Sequence, residues 1–148
     1  GDFVVMDFGA LYNGYHADMT RTVVIGSPNE KHKEIYDIVL KSQLSGIEVA
    51  RAGVTGAEVD NACRSIIDNA GYKEYFNHST GHGIGLEVHT LPRLSSMNTS
   101  PLLENYVVTI EPGIYLPNWG GVRIEDDCWI KSNKCVPMNR SSKELISL

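Results

Sequence analysis

An α+β fold is predicted: a curved antiparallel sheet with helices packed on its outer face. Three observations carry it. β-branched apolar runs stand at both ends of the 148-residue chain, two helical stripes lie between them, and each pair of runs brackets a turn signal.

The first pair is "FVVMDFG" (3–9) and "MTRTVVIG" (19–26), with Asn13-Gly14 between them, so an antiparallel hairpin is expected over residues 2–25. A helix start follows. Ser27 can cap, Pro28 suits the first helical position and Glu30 completes a capping box. Apolar residues at Ile35, Ile38, Val39, Ile47 and Val49 continue the helix to about residue 51, and Gly53 ends it. Thr55 and Glu58 form a second capping box ahead of Val59, Ala62, Cys63, Ile66 and Ile67, with Gly71 as the stop. Residues 90–105, with two prolines and several serines, read as a loop. "YVVTIEPGIYL" (106–116) and "GGVRIEDDCWI" (120–130) then read as strands around a turn at Pro117-Asn118-Trp119-Gly120. The order is ββ-αα-ββ, with no internal repeat and no second domain.

Composition narrows the function classes. A net charge of −5 gives no basic face for nucleic acid. No apolar run approaches the ~20 residues that span a bilayer. Cys63, Cys128 and Cys135 form no CxxC pair and leave one unpaired, which fits a reducing compartment and hence the cytoplasm. Gly1-Asp2 runs straight into a strand without a leader or a methionine, so the chain is expected to be a piece of a longer protein.

Four acids stand where a fold does not need them. Asp7 lies between Met6 and Phe8, and Asp18 can meet it across the hairpin. Glu111 ends an apolar strand in front of Pro112, and Glu125 interrupts "GVRIEDD". Strand alternation sets Arg123, Glu125 and Asp127 on one face and Val122, Ile124 and Asp126 on the other. Each acid alone would read as solvated or salt-bridged charge. Together, converging carboxylates repel one another unless cations neutralise them, and two divalent ions would do so.

"GHGIGLEVH" (81–89) adds the histidines. His78, His82 and His89 fall within twelve residues, whereas His16 and His32 read as ordinary surface or hydrogen-bonded side chains. The glycines around His82 suit close approach of backbone to something bulky or charged. A phosphate loop would need Lys-Ser/Thr after the glycines, and Leu86-Glu87 stands there instead. One histidine with four carboxylates suits Mn²⁺, Co²⁺ or Fe²⁺ better than a thiolate zinc site would.

In order and spacing, "VVMDFGALYNGYHADMTRT", "HSTGHGIGLEVH", "VVTIEPGIYLP" and "GGVRIEDD" resemble the four blocks of the pita-bread metallopeptidases, and more narrowly the Xaa-Pro dipeptidase and aminopeptidase P branch. The resemblance spans residues 1 to about 147. It implies a dinuclear site, with manganese first and cobalt, iron or zinc as alternatives. Asp7 would hold one ion, His82 and Glu111 the other, and Asp18 and Glu125 would bridge, with a hydroxide between the ions as nucleophile. It implies proton shuttling by Glu111. It also places His89 near the scissile carbonyl, on a strand after the glycines, and a further active-site histidine at His78. Arg93 would grip the substrate carboxylate, and Arg123 would orient Glu125 beside the substrate.

The implied substrate is a proline-containing dipeptide or short peptide, cleaved at the Xaa-Pro bond. Methionine aminopeptidase shares the ligand set but lacks the Arg-Ile-Glu-Asp block, and a non-catalytic binding module of this fold is the other alternative. Asn105-Tyr106 departs from the Gly-Met that the family often has there, a change confined to a turn. By the same resemblance, residues 1–148 are the C-terminal part of a catalytic domain whose other half, and a separate N-terminal domain, lie upstream. A homodimer is expected for the full-length protein. The isolated chain is expected to be inactive, weakly stable and inclined to self-associate.

Overall fold

Asn13 and Gly14 take left-handed φ values of 50° and 84° and turn the chain between β2 (Leu11–Tyr12) and β3 (Tyr15–His16). This small hairpin tops a longer one. β1 (Phe3–Phe8) pairs antiparallel with β4 (Met19–Val24), with Asp7 opposite Thr20 and Phe8 opposite Met19. The computed structural model describes the whole chain, Gly1–Leu148.

Two helices follow, α1 (Glu30–Val49) and α2 (Gly56–Asn69). The cap of α1 corrects the sequence expectation. Asn29, not Ser27, is the N-cap, and its box partner is His32 rather than Glu30. The Asn29 side chain accepts from the His32 N–H while His32 Nδ1 accepts from the Asn29 N–H, so both end donors are satisfied reciprocally. In α2 the Thr55–Glu58 box forms as expected. Caps contribute about 1 kcal/mol each. Burial of Ile35, Val39, Val59 and Ile67 contributes about 1.5–3 kcal/mol per side chain, so packing rather than capping holds the helical pair.

A 3₁₀ turn at Lys73–Tyr75 leads to β5 (Gly81–Gly83), so the glycine-rich stretch begins as a strand. Residues 84–89 then bend irregularly and carry His89, in place of the expected strand. β6 (Thr90–Leu94) lies inside the segment read as a loop, where pairing with β5 outweighs the local prolines. The two long C-terminal runs are each broken. They become β7 (Val107–Ile110) and β8 (Gly113–Leu116), then β9 (Gly120–Arg123) and β10 (Asp126–Ile130). β11 (Cys135–Pro137) and β12 (Ile146–Ser147) complete the chain.

The strands form four separate sheets rather than one, antiparallel except where β12 joins β4. β11-β10-β7-β5-β6 is five-stranded, β1-β4-β12 is three-stranded, and β8-β9 is a separate hairpin. β12 runs parallel to β4. One apolar cluster, including Val59, Cys63, Leu94, Val108 and Ile130, lies between the helices and the five-stranded sheet. A second, including Ile35, Val39, Ile114 and Ile124, lies under the β8-β9 hairpin.

A buried ionic group ties the sheets together. Arg21 donates to the carbonyl oxygens of Thr20 (2.9 Å) and Glu125 (2.6 Å) and pairs with Asp126 (2.7 Å). Gln43 and Lys143 reach the other oxygen of Asp126. No helix of the chain is long and apolar enough to cross a membrane.

Candidate metal centre

Each acidic side chain sits at the end of a strand pairing. Phe8 opposite Met19 is the last pair between β1 and β4, so Asp18 is the first residue beyond it, with Asp7 one pair inside. Gly9 allows that closure, since a Cβ there would lie 1.8 Å from the Ala17 carbonyl oxygen. Ile110 opposite Asp126 is likewise the last pair between β7 and β10. Glu111 and Glu125 therefore stand at the two feet of the β8-β9 hairpin. The strand breaks there have a cause: Pro112 has no N–H to continue the ladder, and the N–H groups of Glu111 and Glu125 turn to the carbonyls of Thr80 (2.8 Å) and Thr20 (3.1 Å).

His82 comes from β5, wedged between β6 and β7. Glycine on either side makes the wedge fit. A Cβ at Gly81 would lie 1.9 Å from the Thr109 carbonyl oxygen, and one at Gly83 would lie 2.2 Å from that of Leu91. The close approach expected of these glycines is therefore to neighbouring backbone.

The five residues converge. Ligand atoms of Asp7, Asp18 and Glu125 lie within 4.8 Å of one another, as do those of His82, Glu111 and Glu125, and those of Asp18, His82 and His89. His82 Nε2 is 3.2 Å from Glu111 and 3.8 Å from Asp18. Its Nδ1 faces the Gly83 carbonyl at 3.0 Å, an atom that can only accept. Nδ1 therefore carries the proton, and in the neutral ring the Nε2 lone pair points at the carboxylates. A backbone carbonyl holding the far nitrogen is the usual orientation of a metal-binding histidine. The donor set thus fits two divalent ions of the carboxylate- and imidazole-preferring kind, with Asp18, His82 and Glu125 each common to two triads.

Electrostatics give the same result. Burial, and then the Glu111 charge, push the Glu125 carboxyl up to about 9. Burial with the charges of Asp7 and Glu111 raises Asp18, and burial raises Asp127 to about 6. Burial works against a charged His82, but the hydrogen bond to Glu111 and the nearby carboxylates raise its pKa overall. All four folded values lie above the unfolded ones, so the folded state holds protons that the unfolded state has released. The metal-free chain is therefore expected to lose stability as pH rises from about 4.5 to about 9. Urea denaturation across that range tests this, and a midpoint that rises with pH would contradict it. Cation binding displaces the same protons, so affinity is expected to rise with pH.

Two depressions border the cluster. One, of about 250 Å³, is lined only by polar residues: Asp7, His78, Ser79, His82, His89, Arg93, Glu111 and Arg123. The other, of about 410 Å³, runs from Asp7 and Asp18 to Phe8, Leu11, Val88 and His16, and also borders His89. The His89 ring lies 4.4 Å from that of His82. Arg93 stands opposite His82 in the β5-β6 register. Arg123 touches Asp7 (2.5 Å), Thr20 (3.0 Å) and Tyr115 (3.1 Å), so it meets Glu125 through Thr20. The predicted alternation survives the strand break, because Asp127 accepts from the Asp18 N–H while Asp126 faces Arg21. His78 Nδ1 faces the Ser79 carbonyl and its Nε2 lies 3.0 Å from the Tyr115 hydroxyl.

Sequence reasoning missed Thr20, Thr109 and Tyr115. Thr20 donates to Glu125 (2.5 Å), Thr109 donates to Glu111 (2.9 Å), and Tyr115 links His78 to Arg123. The available signal was position: Thr20 lies two residues after Asp18, and Thr109 two before Glu111.

Residues 1–132 match the model of metallopeptidase family M24. The chain is 55% identical over 146 residues to an Xaa-Pro dipeptidase of Pyrococcus horikoshii, covering 99% of the chain and 42% of that relative. It superposes on an Xaa-Pro dipeptidase from Bacillus anthracis with a TM-score of 0.97 at 52% identity, covering 99% of the chain and 41% of that structure. An X-Pro aminopeptidase from Thermotoga maritima gives 0.96 at 46% identity, with 99% and 42% covered. The chain thus spans about two fifths of the length of the relatives it matches.

Proposed function

Given that the chain belongs to metallopeptidase family M24 and has the pita-bread fold, we propose that it carries the cation site of a dinuclear-metal exopeptidase acting on Xaa-Pro bonds. The observation that supports this best is the pair of ligand triads, Asp7-Asp18-Glu125 and His82-Glu111-Glu125, joined through one glutamate. Two ions held by Asp7, Asp18, His82, Glu111 and Glu125 would supply Lewis acidity, bringing the pKa of a bound water from 15.7 to about 7 and polarising a carbonyl.

The chain's own residues do the rest. Glu111, hydrogen-bonded by Thr109 and open to the polar depression, accepts a proton at its carboxylate and returns it to the leaving proline nitrogen. A ring N–H of His89 donates to the carbonyl oxygen as charge develops there. His78, Arg93 and Arg123 line the polar depression; Arg93 suits the carboxylate of a C-terminal proline, bidentate at its guanidinium, while Arg123 is held by Asp7, Thr20 and Tyr115. The second depression, half polar and half apolar beside Asp7 and Asp18, suits the first residue, its side chain toward Phe8, Leu11 and Val88 and its amine toward the carboxylates.

Hydrolysis of Ala-Pro and Met-Ala by the whole protein in the presence of Mn²⁺ tests the proposal. Cleavage of Ala-Pro that is lost on chelation is expected. Cleavage of Met-Ala alone would move the assignment to a methionine aminopeptidase, and no cleavage of either would favour a binding module.

A further inference from the structure

Two threonine hydroxyls touch the carboxylate cluster, and neither is a ligand. Thr20 and Thr109 have no solvent exposure. A hydroxyl has one proton to give, and at both positions its acceptor side is already engaged. Arg123 Nε–H donates to Thr20 Oγ1 at 3.0 Å, so the Thr20 proton goes to Glu125 Oε2 at 2.5 Å. The His82 backbone N–H donates to Thr109 Oγ1 at 3.1 Å, so the Thr109 proton goes to Glu111 Oε1 at 2.9 Å. Each threonine thus pins one oxygen of one glutamate, and its β-branched side chain has little rotamer freedom to release it.

We infer that Thr20 and Thr109 are positioning residues that aim Glu125 and Glu111 at the cations, Thr109 for one ion and Thr20 for both. The division follows from connectivity. Thr109 joins His82 to Glu111, which share a single triad, whereas Thr20 holds Glu125, which belongs to two. Gly81 completes the device, because a Cβ there would lie 3.0 Å from Thr109 Oγ1. If the hydroxyls only satisfied buried polar atoms, their loss would lower stability without separating the two ions.

The inference rests on the dinuclear reading, and calorimetric titration of the whole protein with Mn²⁺ separates the two. Wild type is expected to show two binding events. Thr109→Val is expected to weaken one of them about 10–100-fold and spare the other, and Thr109→Ser to retain both. Thr20→Val is expected to weaken both. Thermal melts without metal identify a variant that fails to fold, and Thr109→Ala, which leaves room for water on the His82 N–H, then replaces the valine. Two wild-type events unchanged in the valine variants would overturn the threonine assignment alone, as would a serine variant as impaired as the valine. Absence of Mn²⁺ binding to folded wild type would overturn the dinuclear reading and this inference with it.

Discussion

Glu125→Gln is expected to abolish tight binding of both cations and, at the same time, to make the metal-free chain more stable than wild type at about pH 8. Glu125 is 2% exposed, and its carboxyl is pushed up to about 9 by burial and the Glu111 charge. Ionising it in the metal-free fold therefore costs free energy that the unfolded chain does not bear. At about 1.4 kcal/mol per pKa unit, the penalty near pH 8 is on the order of a few kcal/mol. Glutamine keeps the shape and still accepts from Thr20, but it carries no charge to repel or to bind. Isothermal titration with Mn²⁺, with urea denaturation at about pH 5 and pH 8, reads both effects. A glutamine variant that binds both ions, or that is less stable than wild type at pH 8, would contradict the account.

Gly81→Ala is expected to destabilise the fold by about 3 kcal/mol and to remove the His82 arm from the site. Overpacking a closed position costs about 1–3 kcal/mol when flexible side chains can yield. Here the added Cβ meets backbone, 1.9 Å from the Thr109 oxygen and 2.7 Å from its carbonyl carbon, so β5 must separate from β7. The same displacement breaks the His82 N–H contact with Thr109. Chemical denaturation and the imidazole signals of His82 on Mn²⁺ addition measure the two consequences. An alanine variant of wild-type stability would show that the wedge between β6 and β7 is looser than described.

The elements most legible in the sequence were those governed by local chemistry. Asn13-Gly14 forces a turn, Thr55 and Glu58 cap a helix, and the acids embedded in apolar strands point to a candidate site from sequence alone. What was not legible depends on pairing across the chain. β6 is hidden by its proline and serine neighbours because its strand character comes from pairing with β5 and not from its own composition. Residues 106–116 and 120–130 read as continuous strands, since apolar periodicity cannot tell that the chain leaves one sheet at Glu111 and returns to it after Glu125. Those breaks are what turn the two glutamates toward one another. The sequence reading places the cap at Ser27 with Glu30, since His32 is not a usual box partner, yet the His32 imidazole reaches the Asn29 N–H as a glutamate would. Thr20 and Thr109 carried no sequence signal of their own beyond their distance from a ligand.

Asp7, Asp18, His82, Glu111 and Glu125 are proposed to form one site for two divalent ions. Equilibrium dialysis of the whole protein against Mn²⁺ at about pH 8, followed by elemental analysis of wild type and Asp18→Asn, decides it. Two ions per wild-type chain, with the pair disrupted in the asparagine variant, is the predicted result. A folded wild-type chain that holds no ion, or two ions that Asp18→Asn leaves untouched, would contradict it.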